Sequence, residues 1–237
     1  MINQCFDEEK SSRNNVSRLN FFDTYRDYFV LTDDGSYSIN SKEINHKVET
    51  LHTSTGAISE SFEKFIKPMK FDYGSDIAVL DICAGLGYNS SAAISDFMEH
   101  GSGSNLKIDM VEISPATLAC GLLVPSPIKE HNITKKAIEN ELIAQDYATL
   151  SAEKSEIPEN IEINVYIEDA RQMYVDNKCS AVIAFGGGSP MDCAKVAAAR
   201  IARPNKTVQK MRGTLKILKK LPTIYAVPTT AGTGSEK

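Results

Sequence analysis

The sequence of 237 residues contains no tryptophan, no C-x-x-C pair, and no apolar run near the roughly 20 residues that span a bilayer. Five cysteines cannot all pair with one another, so the sequence is not that of a disulfide scaffold. Residues 1–10 are polar and carry three acids, which is unlike a signal peptide. We therefore expect reduced thiols, a cytoplasmic protein and no membrane partner. With 42% hydrophobic and 24% charged residues, the composition is that of a globular protein.

The net charge of −5 conceals two parts of opposite sign. Residues 1–175 hold 15 Lys and Arg against 28 Asp and Glu, whereas residues 176–237 hold 11 against 3. The change suggests two pieces of different origin, or two faces of one surface. The basic stretch from Lys195 to Lys220 fits a solvated helical face, and it also fits a surface for the phosphates of a nucleic acid.

The order of predicted elements indicates an α/β fold. Residues 28–32 and 37–40 flank an Asp-Asp-Gly-Ser turn and predict a β-hairpin, followed by a helix over 58–66 that Pro68 would stop. Strands are then expected at 77–82, 107–112, 161–167, 181–185 and 224–227, with helices at 90–98, 115–123, 134–150, 191–201 and 207–219. Alternating apolar strands and helices predict a Rossmann-like, doubly wound, mostly parallel sheet preceded by the hairpin.

A first candidate site follows the strand at 77–82. Asp81 lies near the end of this strand, which runs into a turn in which Gly85 and Gly87 let the backbone approach a ligand. Glu112 ends the next strand, at the spacing from which an acid accepts both ribose hydroxyls of a nucleoside. Asp169, after the third strand, stands where an adenine amine would lie. A tight turn with solvated acids would give the same pattern. The glycine turn and the two acids, Glu112 and Asp169, each follow a strand at the expected position, and together they favour a nucleoside site.

These residues carry a first resemblance. The stretch Glu49-Thr50-Leu51-His52-Thr53-Ser54-Thr55-Gly56, ahead of Leu80-Asp81-Ile82-Cys83-Ala84-Gly85-Leu86-Gly87, resembles the short MnmC-like methyltransferases over about residues 25–175. Members use S-adenosylmethionine and act on an aminomethyl-uridine at the tRNA wobble position. The resemblance implies that Asp81, Gly85, Gly87, Glu112 and Asp169 hold the cofactor, and it makes tRNA a candidate partner. His52 fits either a packed residue or a catalytic one.

A second candidate site lies after residue 180. The run Ala181-Val182-Ile183-Ala184-Phe185-Gly186-Gly187-Gly188-Ser189-Pro190 places glycines and a serine before a predicted helix, where free N–H groups and the helix dipole attract phosphate. A hydroxyl-rich segment, Pro228-Thr229-Thr230-Ala231-Gly232-Thr233-Gly234, follows the last strand. Each segment alone also fits an ordinary glycine turn or Ser/Thr loop.

Together the two segments resemble the iron-containing alcohol dehydrogenases over about residues 178–236. That resemblance implies NAD as a cofactor, with dinucleotide contacts from Gly187, Gly188, Ser189, Asp192, Thr229, Thr230 and Thr233. The family's metal ligands lie in a later helical domain. Because the last histidine is His131, we expect no metal site and no complete hydride-transfer centre.

The sequence therefore resembles a splice of two families, joined near residues 174–180. We expect a polar segment at 1–24, a methyltransferase-like part at 25–177, and a dehydrogenase-like βα segment at 178–237 that completes the same sheet. Three functions stay open: an S-adenosylmethionine-binding methyltransferase-like protein, an NAD-binding dehydrogenase fragment, or a folded hybrid without catalysis. The front part lacks the acidic segment that its relatives place beside the amine after the fourth strand. No catalytic residue can be assigned, and we expect incomplete catalysis.

Overall fold

A computed structural model describes residues 26–41, 49–52, 54–101, 103–147, 155–170, 181–186, 188–211 and 217–228. After a 3-10 turn at Arg26–Tyr28, the chain forms a small antiparallel sheet of β1 (Phe29–Leu31), β2 (Tyr37–Ser41) and β3 (Glu49–Thr50). β1 and β2 are joined by the Asp-Asp-Gly-Ser turn, so the predicted hairpin is present. β3 has only two residues and had no signal in the sequence.

The main sheet has five parallel strands. They are β4 (Ile77–Ile82), β5 (Leu106–Val111), β6 (Ile161–Tyr166), β7 (Ala181–Gly186) and β8 (Thr223–Pro228). Their spatial order is β6-β5-β4-β7-β8, which is the order of a doubly wound sheet. β7 pairs with β4, with Ile82 opposite Ala184. The predicted fold class is thereby confirmed, while the boundary expected near residue 177 falls outside the described residues and stays a prediction.

Six helices connect and cover the described strands. Helix α1 consists of three consecutive pieces, Ala57–Glu60, the π-helical Ser61–Ile66 and Lys67–Met69. The others are α2 (Tyr88–His100), α3 (Pro115–Leu123), α4 (His131–Ala144), α5 (Gly188–Ala202) and α6 (Val208–Met211). Within the described ranges, none of them has the length and apolar character that crossing a membrane requires.

The alternation of side chains along β4 divides the core into two layers. Ile77 and Val79 pack into the layer that α1, α2 and α4 cover, whereas Leu80 and Ile82 pack against the alanine-rich face of α5. Because both faces of β4 are buried, its sequence is almost continuously apolar. This pattern is why the sequence predicts its bounds correctly.

The helix ends differ from the prediction more than the strand ends do; α4, for example, spans His131–Ala144 instead of the predicted 134–150. α1 does not stop before Pro68 but continues to Met69 and ends at Lys70, whose φ of 47° is left-handed. A proline breaks a helix chiefly through the residues before it, and here those residues keep helical geometry. The helix expected over 207–219 is described only as α6, and residues 217–222 are not helical.

The turn of the hairpin caps the start of α1. Asp34 accepts hydrogen bonds from the N–H groups of Ser36 (3.0 Å) and Ser59 (2.7 Å), and Ser36 Oγ accepts from the N–H of Ala57 (2.8 Å). Gly56 permits the contact, since a Cβ there would lie 2.0 Å from the Asp34 carboxyl carbon. Burial opposes the charge of Asp34, but hydrogen bonds from Ser36 and Ser59 outweigh it and lower its pKa to about 2. The helix thus takes its N-cap from another part of the chain.

We expect Asp34→Ala to lower the free energy of unfolding by about 1–2 kcal/mol, because the first turn of α1 loses its acceptor. The melting temperature should fall by about 3–6 °C, measured by circular dichroism. Asp33→Ala removes the exposed neighbouring acid and should have little effect. Equal losses in both variants would contradict the cap.

The lowered pKa of Asp34 predicts how the stability of the folded chain changes with pH. Because the pKa of Asp34 is lowered in the folded chain, its stabilisation is present above the unfolded value near 4 and is lost as the pH falls toward 2. The stability difference between the wild-type chain and Asp34→Asn should therefore narrow across that window.

Candidate functional site

The candidate site is a crevice at the carboxyl ends of β4 and β7. The first three strands of the main sheet run outward from β4 to β6, and the next strand, β7, lies on the other side of β4. Ligands of open α/β sheets bind where the strand order reverses in this way. We call this region the switch-point crevice and define it by residues 83–87, 112–114 and 167–170 and the start of α5.

The β4–α2 turn has an unusual backbone that two glycines relieve. Gly85 and Gly87 have φ values of 58° and 86°, and Cys83 takes a φ of 60° although it carries a side chain. The turn is tied down by hydrogen bonds from the Ala84 N–H to the Val111 carbonyl (3.1 Å) and from the Gly87 N–H to the Ala84 carbonyl (2.9 Å). The result is a fixed turn that opens directly into α2.

Glu112 lies at the mouth of this turn. Its Oε2 accepts from the N–H of Gly85 (3.2 Å) and its Oε1 from the N–H of Ser114 (3.0 Å). Burial raises the pKa of Glu112, and the N–H donors of Ser114, Gly85 and Ile113 oppose that rise. The acid predicted at the end of the second strand is therefore next to the glycine turn, as the sequence reasoning required. Its contact with a cofactor stays a prediction.

The environment of Asp81 differs from that of Glu112. Its side chain is fully buried, and it accepts from Ser90 Oγ (2.7 Å) and Asn89 Nδ2 (3.4 Å) in the first turn of α2. Burial raises the pKa of Asp81, and the hydrogen bonds from Ser90 and Asn89 oppose the shift. This geometry suits a residue that positions α2 and the glycine turn. Direct contact of Asp81 with a cofactor stays a prediction.

The third acid, Asp169, also lies at the crevice. Burial, followed by the charge of Glu112, raises the pKa of the Cys83 thiol, and Asp169 and Cys193 contribute to the same shift. Asp169 is half-buried, and Cys193 lies on α5, which follows β7. Groups that follow three strand ends therefore lie near one another and near Cys193 of α5, which the sequence suggested for the acids but not for Cys83 or Cys193.

Gly87 is required by packing as well as by its φ. A Cβ at this position would lie 2.7 Å from Thr134 Cγ2 and 3.4 Å from Ile138 Cδ1, both on α4. The preceding residue, Leu86, is held from the same side, since His131 Nε2 lies 3.0 Å from its carbonyl oxygen. The sequence predicted that Gly87 allows a ligand to approach the backbone closely. The structure shows that Gly87 also lies against α4, which leaves no room for a side chain.

His52 is buried beside the turn. Its ring packs edge-on against Tyr88, with centroids 5.8 Å apart, and its Nδ1 lies 3.7 Å from Glu60 Oε2. Ser38 Oγ accepts from the His52 N–H at 2.9 Å. These contacts favour the packed alternative, because 9% of the residue is exposed.

The second candidate site is only partly described. Gly188 and Ser189 lie in the first turn of α5, and Asp192 is exposed one turn later. Gly187, Thr229, Thr230 and Thr233 lie outside the described residues, so their predicted dinucleotide contacts stay predictions. Since β7 pairs with β4, its glycine-rich end and the β4–α2 turn open on the same crevice.

Two surface features had no sequence signal. Ile113, which follows Glu112, is 64% exposed. A groove of about 440 Å³ lies between α4 and the edge strand β6, lined by Ala137, Asn140, Glu141, Ala144, Ile157, Ile163, Asn164, Val165 and Tyr166.

Among the described residues, no group of three or more His, Cys, Asp and Glu side chains could hold a metal ion.

Comparison with known proteins identifies relatives of both parts of the chain. Residues 136–237 match the family model for iron-containing alcohol dehydrogenases. The protein named Probable alcohol dehydrogenase EutG from Escherichia coli is 48% identical over 61 residues, which are 26% of this chain and 15% of EutG. The uncharacterized protein MJ0670 from Methanocaldococcus jannaschii is 34% identical over 155 residues, which are 65% of this chain and 39% of MJ0670.

One solved structure, MnmC2 from Aquifex aeolicus, is similar over 77% of this chain and 63% of its own length, with 22% identity and a TM-score of 0.44. The dehydrogenase resemblance that the sequence suggested thus has a counterpart among known proteins. The chain spans 39% of MJ0670 and 15% of EutG, well below two thirds of either relative. This chain is therefore similar, in its second part, to a segment of the iron-containing alcohol dehydrogenases.

Proposed function

We propose that the chain binds S-adenosylmethionine in the switch-point crevice. The observation that carries the proposal is the Glu112 carboxylate, held beside the Gly85–Gly87 turn by the N–H groups of Gly85 and Ser114. A carboxylate has about four acceptor positions, and the N–H groups of Gly85, Ser114 and Ile113 occupy up to three of them, so acceptor capacity remains for a ribose hydroxyl. An acid fixed in this way is oriented before a ligand arrives.

The neighbours of Glu112 suit the rest of a nucleoside. Ile113 offers an exposed apolar side chain on which a base could pack, and Asp169 supplies a carboxylate that could accept from an exocyclic amine. Gly85 adds a backbone position without a side chain on the side of the crevice where the sulfonium end would lie. We therefore assign Glu112 to the ribose and Asp169 to the base.

The proposal concerns the binding of S-adenosylmethionine and not the transfer of its methyl group. S-adenosylmethionine, when bound, supplies an electrophilic methyl group, and this chain's residues would hold and orient it. No described residue of the crevice is assigned as a base toward an amine. Glycines 186–188 stand where the resemblance predicts an acid after the fourth strand. We expect no methylation of aminomethyl-uridine in tRNA, and detection of that product would contradict this expectation.

A second candidate function, NAD binding, is favoured by the match of residues 136–237 to the dehydrogenase family. The start of α5 follows the glycine-rich end of β7, and a helix N-terminus of this kind favours a pyrophosphate. Adjacent pairing of β4 and β7 directs both ligands into one crevice. We expect binding of the two ligands to be mutually exclusive.

Ligand titrations test both candidates. S-adenosylhomocysteine at 100 times its dissociation constant should stabilise the chain by about 2.7 kcal/mol, which raises the melting temperature by about 5–10 °C. The same measurement with NAD tests the second candidate, and calorimetry with one ligand in the presence of the other tests exclusion. A folded chain that melts at the same temperature with saturating S-adenosylhomocysteine would contradict the first proposal.

A further inference from the structure

The strongest charged feature outside the crevice is a stretch without acids. Residues 193–235 contain nine Lys and Arg and no Asp or Glu. Its described members at the far end of α5 and beyond form a surface that we call the basic edge: Arg200, Arg203, Lys206, Lys210, Lys219 and Lys220. Lys206, Lys210, Lys219 and Lys220 are exposed, and the two arginines are partly buried.

The topology brings these residues to one end of the sheet. β7 and β8 are parallel, so α5 must return the chain from the carboxyl end of β7 to the amino end of β8. Fifteen residues of helix cover about 22 Å of that return. The last turn of α5, α6 and the residues entering β8 therefore lie at the amino end of the sheet, opposite the switch-point crevice.

The two arginines are less exposed than the four lysines. Arg200 Nη1 donates to the carbonyl of Lys206 at 2.8 Å, which fixes its guanidinium against the end of α5. The Nε atoms of Arg200 and Arg203 are buried and lack a hydrogen-bond partner within the described part of the chain. Because these Nε atoms are buried, an external ligand does not reach them. The four exposed lysines are the donors that an anion with several oxygens can contact.

We propose that the basic edge binds the phosphate backbone of a nucleic acid. Arginine forks and exposed lysines are the donors that contact phosphates without reading bases. A flat anionic membrane suits the surface less well. Asp72 and Asp76 are exposed just before β4, at the same end of the sheet, and a flat surface would meet them as well. Leu218, 78% exposed, adds only one large apolar side chain.

A nucleic-acid strand, in contrast, can follow the β7–β8 half of that end. Charges more than about 8 Å apart are largely screened at physiological salt, which weakens the repulsion that distant acids of the chain exert on a nucleic acid. The six members of the basic edge are lysines and arginines, and contacts from such side chains to phosphates carry no base sequence. Binding should depend on salt and be indifferent to base sequence.

Fluorescence anisotropy with labelled 20-base-pair RNA and DNA duplexes and with the matching single strands tests the proposal. We expect a dissociation constant of about 10⁻⁶–10⁻⁴ M that weakens steeply between 50 and about 200 mM salt. Lys206→Gln combined with Lys210→Gln should weaken binding at least about tenfold at low salt and reduce the salt slope by about 2.

The control pair is Lys67→Gln with Lys129→Gln, which removes the same charge from two exposed lysines elsewhere. It should change affinity less than about twofold, since long-range effects are screened. Equal losses in both pairs would overturn the proposal, and so would the absence of binding to all four probes. Binding to phosphatidylserine vesicles that the basic-edge pair abolishes, with no nucleic-acid binding, would also overturn it.

Discussion

Gly87→Ala is expected to lower the free energy of unfolding by about 2–4 kcal/mol. A methyl group at this position meets Thr134 Cγ2 at 2.7 Å, and overpacking of a buried contact costs about 1–3 kcal/mol. The φ of 86° adds a further cost of about 1 kcal/mol for any residue with a Cβ. The melting temperature should fall by about 5–12 °C, measured by circular dichroism or calorimetry.

Two controls separate the steric cost from the backbone cost. Gly103 has a similar φ of 81° and nothing within 4 Å of its Cβ position, so Gly103→Ala should lose only about 1 kcal/mol. Thr134→Ser removes the obstructing methyl group and keeps the hydroxyl that lies 2.9 Å from Ser91 Oγ. Combined with Gly87→Ala it should recover part of the loss. A double-mutant cycle without coupling would contradict the proposed contact between the turn and α4.

Glu112→Ala should weaken binding of S-adenosylhomocysteine by about 1–3 kcal/mol, or about 5- to 150-fold, because an ionic acceptor for the ribose hydroxyls disappears. Isothermal calorimetry measures the change directly. Since the carboxylate also accepts from Gly85 and Ser114, the variant's fold must be checked by its melting curve. Unchanged affinity in a folded variant would reject Glu112 as the ribose acceptor.

The matched control is Asp109→Asn, on the same strand. Asp109 is buried and accepts from Asn164 Nδ2 at 2.9 Å, but it precedes Glu112 by three residues, about 10 Å along β5. Its loss tests whether removal of any buried carboxylate from β5 weakens binding. We expect affinity for S-adenosylhomocysteine to stay within about twofold, because the residue does not reach the crevice.

The pKa of Glu112 gives the same proposal a pH signature. Burial raises that pKa above its usual value, and the ribose hydroxyls would donate to the ionised form. Ligand affinity should therefore fall as the pH decreases through the raised pKa, since bound ligand competes with the proton. Glu112→Gln should lack this dependence while keeping one acceptor oxygen.

The main sheet could be predicted from the sequence because its strands are buried on both faces. β4 and α3 have the predicted bounds, and the other strands of the main sheet differ by one residue at one or both ends. The sequence did not predict features that depend on a few local backbone torsions. The π-helical segment at Ser61–Ile66 and the helical geometry that continues past Pro68 have no sequence pattern of their own, because both depend on packing against α2.

The candidate site was predictable in its positions more than in its contacts. The spacing of Gly85 and Glu112 anticipated that they meet, because parallel strands in register bring their ends together. In the sequence, Asp81 and Glu112 are both acids at strand ends. In the structure, Asp81 is enclosed by Ser90 and Asn89, whereas Glu112 lies at the mouth of the turn. In the register of β4 and β5, Asp81 lies opposite Met110, two residues before Glu112, so the two acids differ in their position along the sheet and not in the face they occupy.

The cap that Asp34 and Ser36 supply to α1 has a consequence for folding. Gly56, at the N-cap position, offers the first turn no side-chain acceptor, and the acceptors lie 21 and 25 residues earlier than their donors. Nucleation of α1 must therefore wait until a loop of that length has closed. Hairpin and helix should form and open as one cooperative unit, although they are separate elements in the finished fold.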